Sequence, residues 1–236
     1  MSETKDYYES KKSEFLIEFK GFNESICDLI IEKYGKEFND SIMEEIKREY
    51  ESLNEEIPYI GGDSNRLTYI LFIAIENLVF YNVLKRHGKS LEDIGELIYK
   101  TSENFYVNHP EVIPSMKDPN YIHLIKMSAN KSQEKEYPDD WVYKFIEGDD
   151  NCDYGIDYTE CGIVKLYHQH NADELTPYIC AMDGITSEIW NQGLIRTKTI
   201  AEGFNKCNFR YKLGNETKIN SIIKNNNKKL KFESWY

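Results

Sequence analysis

Apolar side chains recur with helical spacing through the first half of the chain. From Ser13 to Tyr34 they stand about 3.6 residues apart with acidic residues on the other face, which predicts an amphipathic helix. The same reasoning predicts further helices, which are Asp40–Leu53, Asn65–Arg86, Ser90–Val107 and Asn120–Asn130. The first half of the protein is therefore expected to be helical.

The third of these helices carries apolar residues nearly all round. Helices of that kind either lie in the core of a protein or cross a membrane. Glu76 and Asn77 interrupt the apolar run, so it falls short of a membrane span. We expect a buried central helix.

Polar residues mark the starts of two helices. The loop Glu55–Gly62 is followed by Asp63 and Ser64, either of which is expected to cap the third helix. Ser90 followed by Asp93 resembles a capping box at the start of the fourth helix, with Asp in place of the usual Glu or Gln.

The pattern changes after the polar stretch Lys131–Asp140, where short apolar and alternating runs indicate strands. The predicted strands are Trp141–Ile146, Tyr154–Tyr158, Leu194–Ile200 and Lys206–Leu213. Turn residues at Glu147–Asn151 and Glu202-Gly203 predict hairpins, and the segments Gly162–Gln169 and Pro177–Asn191 read as helices. The fold class is therefore α+β, with a helical N-terminal part followed by a small antiparallel sheet interleaved with helices.

We expect the helical part to span residues 1–135 and the sheet-bearing part to span residues 136–213, within one compact domain. Residues 214–236 are rich in Asn and Lys and are expected to form a loosely attached basic tail.

Composition narrows the classes of partner. Apolar residues make up 40% of the chain, enough for a core, and the formal charge is −12. A surface of that sign repels phosphate backbones and anionic lipids, so neither nucleic acid nor membrane is an expected partner. The polar start Met1–Glu14 lacks a targeting pattern, and we expect a cytoplasmic protein. The apolar face of the first helix would also suit pairing with a second copy of the chain, so a homo-oligomer is one alternative to a monomer.

Five cysteines, an odd number without a secretion signal, are expected to stay reduced. Cys161 follows Glu160 where a strand ends and a helix begins, a place that favours thiolates, so Cys161 is a candidate nucleophile. A buried structural cysteine is the alternative.

Two further groups carry candidate chemistry. A spacing of three on a helix puts Cys180 and Asp183 on one face, where Asp183 would act as a base or simply solvate the helix. Strand alternation would direct Arg196, Lys198 and Ile200 to one face, where Arg196 would bind a substrate carboxylate or lie at a sheet edge.

Together these segments resemble the L-2-amino-thiazoline-4-carboxylic acid hydrolase family. The resemblance covers about Asp157–Tyr211 and rests on Thr159-Glu160-Cys161, Cys180-x-x-Asp183, and the series Arg196, Thr199, Gly203, Cys207 and Phe209. It implies hydrolysis of a thiazoline ring to N-carbamoyl-L-cysteine, with a small molecule as partner and no cofactor.

Under that resemblance, Cys161 or Cys180 attacks the ring carbon, or a base-activated water does so directly. Asp183 or Glu160 would move protons. Arg196 would hold the substrate carboxylate, with Thr199 and Cys207 also in the binding set.

Two other classes compete with this hypothesis. Cys152, Cys161, Cys180 and Cys207 would suit zinc by type, but their spacing lacks a Cys-x-x-Cys pair, so we predict no metal. His168 and His170 diverge on a helix and give only a weak metal signal. A non-catalytic module that binds a small molecule would use the same pocket without turnover.

Overall fold

The structure is a computed structural model that describes residues 3–109 and 118–220. The chain divides into two compact units, Met1–Thr101 and Ser102–Tyr236. Residues 110–117, and residues 221–236 of the predicted basic tail, lie outside the described residues.

The first unit is helical. Its helices are α1 (Glu3–Tyr34), α2 (Lys36–Asn54), α3 (Thr68–Arg86) and α4 (Leu91–Asn108), the last of which continues into the second unit. Helix α1 begins well before the predicted Ser13, because Tyr8 adds a buried ring to its packing face, 5.5 Å from the Phe72 ring. Aromatic burial here extends a helix whose first residues are otherwise polar.

Helix α3 lies at the centre of this unit. Phe15 of α1 stacks on its Phe72 with ring centroids 3.4 Å apart. Residues Leu71–Leu84 of α3 include most of the fully buried positions of the unit. By length and composition alone α3 is also able to span a membrane, yet 72% of that stretch is buried in the protein. A core helix of a soluble protein meets the same criterion, and the prediction of a central helix agrees with this burial.

The starts of α3 and α4 differ in how they are capped. The prediction of Asp63 or Ser64 as the α3 cap is wrong, because Gly62–Ser64 forms a 3-10 turn and Ser64 Oγ donates to the Gly61 carbonyl at 2.6 Å. Helix α3 follows later, at Thr68. The Ser90 cap is confirmed, since the Asp93 amide donates to Ser90 Oγ at 3.1 Å.

The second unit carries the sheet. After the end of α4 come α5 (Pro119–Ser132), β1 (Val142–Glu147), β2 (Tyr154–Glu160), α6 (Gly162–Gln169), α7 (Thr176–Ile189), β3 (Leu194–Arg196), β4 (Cys207–Tyr211) and β5 (Lys218–Ile219). The strand order is β1-β2-β4-β3-β5, antiparallel except where β5 runs parallel to β3. The α+β fold is thus confirmed, and β5 adds a parallel edge strand where a loose tail was expected.

Strand β3 is shorter than predicted. It ends at Arg196, not at Ile200, because Asn208 accepts hydrogen bonds from the Thr197 and Lys198 amides at 3.1 and 2.8 Å. Thr199 then starts a 3-10 turn, Ile200–Glu202. Side-chain acceptors thus replace the strand ladder, and Arg196 and Thr199 are both buried despite their odd spacing.

One face of the sheet is aromatic. Tyr158 pairs with Cys207 and Tyr154 with Tyr211, so strand alternation puts these residues on the same side. The Tyr154 and Tyr211 rings lie 4.9 Å apart, and the Tyr158 and Phe209 rings lie 5.4 Å apart. The guanidinium of Arg196 covers Phe209 on this face, which is where the candidate site forms.

Candidate active site

Cys161 is the residue that links β2 to α6, as the sequence predicts. Gly162 follows it, and a Cβ there would lie 2.6 Å from the Trp141 ring, so only glycine lets Trp141 cover the start of the helix. Burial raises the pKa of the Cys161 thiol, while the Ile163 and Val164 amides and the Trp141 indole act to lower it. The thiolate form is therefore disfavoured by burial and partly stabilised by the helix start.

Cys180 and Asp183 lie on one face of α7, and a buried arginine binds both residues. The Arg196 side chain is 1% exposed and donates from Nη1 to Asp183 Oδ2. Its Nη2 donates to the Cys180 carbonyl at 3.0 Å. The Asp183 side chain is 40% exposed, so the pair joins a buried guanidinium to a partly exposed side chain.

The thiols of the site hold their protons at neutral pH. Burial raises the pKa of Cys207 to about 12 and raises that of Cys180 well above its ordinary value, although Arg196 opposes both shifts. Burial also raises the pKa of the Asp183 carboxyl, against the effect of Arg196. A nucleophilic thiolate in this site would thus need a base to remove its proton.

The structure brings five of the predicted residues together. We call them the thiol cluster: Cys161, Cys180, Asp183, Arg196 and Cys207. The charges of Cys161, Asp183 and Cys207 all act on the ionisation of Cys180, and Asp183 also acts on Cys161 and Cys207. Residues spread over nearly fifty positions of sequence thus share one environment.

Glu160 lies in a different set of contacts. Its carboxylate oxygens bind Lys135 and Lys165, each at 2.5 Å, and these side-chain hydrogen bonds lower its pKa. Lys165 also donates to the carbonyl of Asp140 at 2.8 Å. Both oxygens of Glu160 are therefore engaged in joining α6 to the chain segment before β1.

Thr199 and Cys207 support the turn between β3 and β4. Thr199 Oγ1 donates to the Glu202 carboxylate at 2.8 Å and accepts from the Glu202 amide at 3.2 Å. Cys207 Sγ accepts from the Ile200 amide at 3.2 Å. These contacts fix the chain that follows Arg196.

Aromatic residues that the motifs did not identify surround Asp183. Its charge acts on the ionisation of Tyr106 from α4 and Tyr211 from β4, and burial is the main cause that raises the pKa of both. Tyr167 of α6 is fully buried, and Cys180 and Cys161 act on its ionisation. The alternating Cys207, Phe209 and Tyr211 gave a signal in the sequence, whereas Tyr106 gave none.

Within residues 3–109 and 118–220, no three His, Cys, Asp or Glu side chains are arranged to hold a metal ion. His168 Nδ1 instead lies 2.9 Å from Asp173 Oδ1 at the end of α6.

A comparison with protein families bears on this geometry. The family model described as L-2-amino-thiazoline-4-carboxylic acid hydrolase matches residues 72–211, more than half of the 236 residues. The chain belongs to this family. The thiazoline hydrolase match contains the whole thiol cluster and confirms the resemblance seen in the sequence motifs, but it ends before β5. No curated protein and no solved structure matches the chain significantly.

Proposed function

We propose that this member of the L-2-amino-thiazoline-4-carboxylic acid hydrolase family opens a small cyclic amidine of the thiazoline class. The observation that carries the proposal is the position of Asp183, which is held by the buried Arg196 beside two half-buried thiols. The ring carbon between sulfur and nitrogen is electrophilic when the amidine is protonated, so ring opening needs a nucleophile. The thiol is such a nucleophile, and a carboxylate near it can accept its proton.

The nucleophile in this proposal is Cys161. Burial raises the pKa of its thiol, but the thiol lies at a helix start, where the amides of Ile163 and Val164 and the Trp141 indole act against that rise. Asp183 accepts the thiol proton, and the sulfur then attacks the ring carbon. The bond from that carbon to the ring sulfur breaks, and the ring sulfur leaves with a proton as the thiol of the opened substrate.

Water completes the reaction. It attacks the carbon now bonded to Cys161, and Asp183 takes a proton from it as the Cys161 sulfur departs and is reprotonated. The sum is one thiazoline and one water converted to N-carbamoyl-L-cysteine. Direct attack by a water that Asp183 activates gives the same product without a covalent intermediate.

Two side chains receive roles different from those expected of them. Arg196 is fully buried and bound to Asp183 and to the Cys180 carbonyl, so it serves to position Asp183, and another donor would meet the substrate carboxylate. Glu160 is bound by two lysines and serves the fold. The partner in this proposal is a small molecule.

The test is incubation of the purified protein with L-2-amino-thiazoline-4-carboxylate and measurement of the product mass, which exceeds that of the substrate by one water. We expect Cys161→Ala and Asp183→Asn to lower kcat by about a thousandfold, as loss of a nucleophile or base commonly does. Cys27→Ala is the matched control, because Cys27 is a buried thiol of α1 outside the cluster.

The outcomes separate the possibilities. No product from the wild-type protein, with tight binding of the thiazoline, would overturn catalysis and support a binding module. Full turnover by Cys161→Ala, with turnover lost in Asp183→Asn, would replace the covalent route with attack by water.

A further inference from the structure

Strand β5 lies beyond the segment that matches the family model, which ends at residue 211. The chain turns back toward the site just before it. Gly193, with a φ of +60°, lets Lys212 approach so closely that a Cβ would lie 2.0 Å from the Lys212 carbonyl oxygen, and the Gly214 amide donates to Asn191 at 2.9 Å. This turn brings residues 215–220 alongside β3.

We propose that the segment Thr217–Asn220 is a positioning element of the active site, with Thr217 and Asn220 holding Arg196, and through it Asp183, in place. The inference rests on the proposed function only for the role of Asp183. It assigns these two residues no contact with substrate.

Arg196 is held by this segment at both its main chain and its side chain. Ile219 pairs with Arg196 in the parallel ladder, and the Asn220 amide donates to the Arg196 carbonyl at 2.9 Å. In return, Arg196 Nη2 donates to the Asn220 carbonyl at 3.2 Å. The Asn220 side chain adds a bond from Nδ2 to the Thr197 carbonyl at 2.7 Å.

The same segment is fastened to the helix that carries Cys180 and Asp183. Thr217 Oγ1 and Ser187 Oγ of α7 are hydrogen-bonded at 2.7 Å, and Ser187 Oγ also accepts from the Leu194 amide at 2.9 Å. A Cβ on Gly184 would lie 2.9 Å from Ile219 Cδ1, so the segment lies directly against α7. The segment Thr217–Asn220 therefore contacts both Arg196 and the helix that carries Asp183, and we call these contacts the clamp.

The contacts of residues 217–220 matter because the Arg196 guanidinium is buried. A guanidinium that is 1% exposed depends on protein acceptors, and those of Arg196 are Asp183, the Cys180 carbonyl and the Asn220 carbonyl. Its Nε finds no acceptor among the described residues. A shift of residues 217–220 would therefore remove one of these three acceptors, and the guanidinium would move relative to Asp183.

The experiment uses full-length variants and a readout that needs no substrate. Thr217→Val removes the hydroxyl but keeps the shape, Thr217→Ser keeps the hydroxyl, and Asn220→Ala removes the amide side chain. Alkylation of each cysteine by iodoacetamide is followed by mass spectrometry between about pH 7 and 9, where the rate reports the thiolate fraction.

Arg196 lowers the pKa of Cys180, so its displacement is expected to slow alkylation of Cys180 about threefold in Thr217→Val and in Asn220→Ala. Cys27 is the internal control and should not change. Thr217→Ser should match the wild type. With substrate, the acid limb of the kcat/KM profile should move to higher pH, because Asp183 would lose part of the cation that keeps it ionised.

Wild-type rates at Cys180 in both altered variants, or faster rates, would overturn the inference. Unfolding would be recognised because Cys27 would react too, and in that event Asn220→Ala, which keeps every backbone bond, decides by the same measurement. A wild-type protein that fails to open the thiazoline while Cys180 responds as expected would remove the proposed function and leave the positioning role intact.

Discussion

At the scale of single residues, the fold keeps the charged groups of Arg196 and Glu76 from water. Arg196 is offset by Asp183 and two carbonyl groups, and removing one partner of such a pair leaves a buried charge without compensation. Arg196→Met is thus a milder change than Asp183→Ala, which would strand the guanidinium.

Glu76 gives a prediction about stability and pH. It lies in α3 with 9% exposure, and burial raises its pKa to about 8, with a smaller contribution from Glu18 of α1. Its charge also acts on Tyr50 of α2. Because the folded pKa lies above the unfolded value, the folded state holds the proton more firmly, and stability falls as the pH rises from about 4.5 to about 8.

Glu76→Gln removes this titration. Between pH 5 and pH 9, we expect the free energy of unfolding to fall further in the wild type than in Glu76→Gln. The difference between the two falls should be about 2–4 kcal/mol. Urea unfolding at both values measures it. Glu51→Gln, on the exposed side of α2, serves as the control, and a parallel pH dependence in all three proteins would contradict the prediction.

At the scale of elements, Thr199 caps the 3-10 turn Ile200–Glu202, which predicts a structural role for its side chain and not a role in substrate binding. Thr199 is 2% exposed, and its hydroxyl donates to the Glu202 carboxylate and accepts from the Glu202 amide. We expect Thr199→Val to lower the free energy of unfolding by about 1 kcal/mol, as loss of a helix cap does, with KM little changed.

Thr199→Ser keeps the cap hydroxyl and should restore most of that stability. Unfolding curves and steady-state kinetics on the same preparations give both quantities. A rise in KM of tenfold or more in Thr199→Val at unchanged stability would assign the hydroxyl to substrate binding, as the family resemblance suggested.

Elements whose pattern is local were foreseen, and those fixed by distant partners were not. Helix α6 has the predicted bounds, and α7 differs by a residue or two at its ends. The end of β3 depends on Asn208, which accepts from the Thr197 amide eleven residues away, and β5 forms from residues without a strand pattern because β3 offers them an edge. The strand propensity of residues and the spacing of apolar positions do not reveal pairings between distant segments.

The site followed the same division. Cys161, Cys180 and Asp183 were found from the start of a helix and from a spacing of three, both of which are local features. The engagement of Glu160 by Lys135 and the complete burial of Arg196 arise from packing between separate segments. The sequence therefore identified members of the thiol cluster, but not which charged side chains are held by other segments of the chain.

At the scale of the whole molecule, the net charge of −12 creates a field that any charged substrate meets. A negative protein concentrates cations near its surface, and salt weakens that effect over a Debye length of about 10 Å at 0.1 M. A thiazoline carboxylate with a protonated amidine is a zwitterion, so its net charge is zero. The field should neither attract nor repel it strongly.

A pair of substrates tests this argument. L-2-amino-thiazoline-4-carboxylate should show a kcat/KM that changes little between about 20 and 200 mM salt, because its charges cancel. 2-Amino-2-thiazoline lacks the carboxylate and carries a net positive charge, so its kcat/KM, or its affinity if it is not turned over, should fall about two- to threefold over that range.

The salt used should be NaCl, with a neutral solute at matched osmolarity as the control for effects on water activity. Competition between 2-amino-2-thiazoline, the cation, and L-2-amino-thiazoline-4-carboxylate, the zwitterion, measures the ratio of their affinities at each salt concentration. An affinity for the cation that rises with salt would show that the field at the site is positive, in which case Arg196, and not the acidic surface, governs what approaches Asp183.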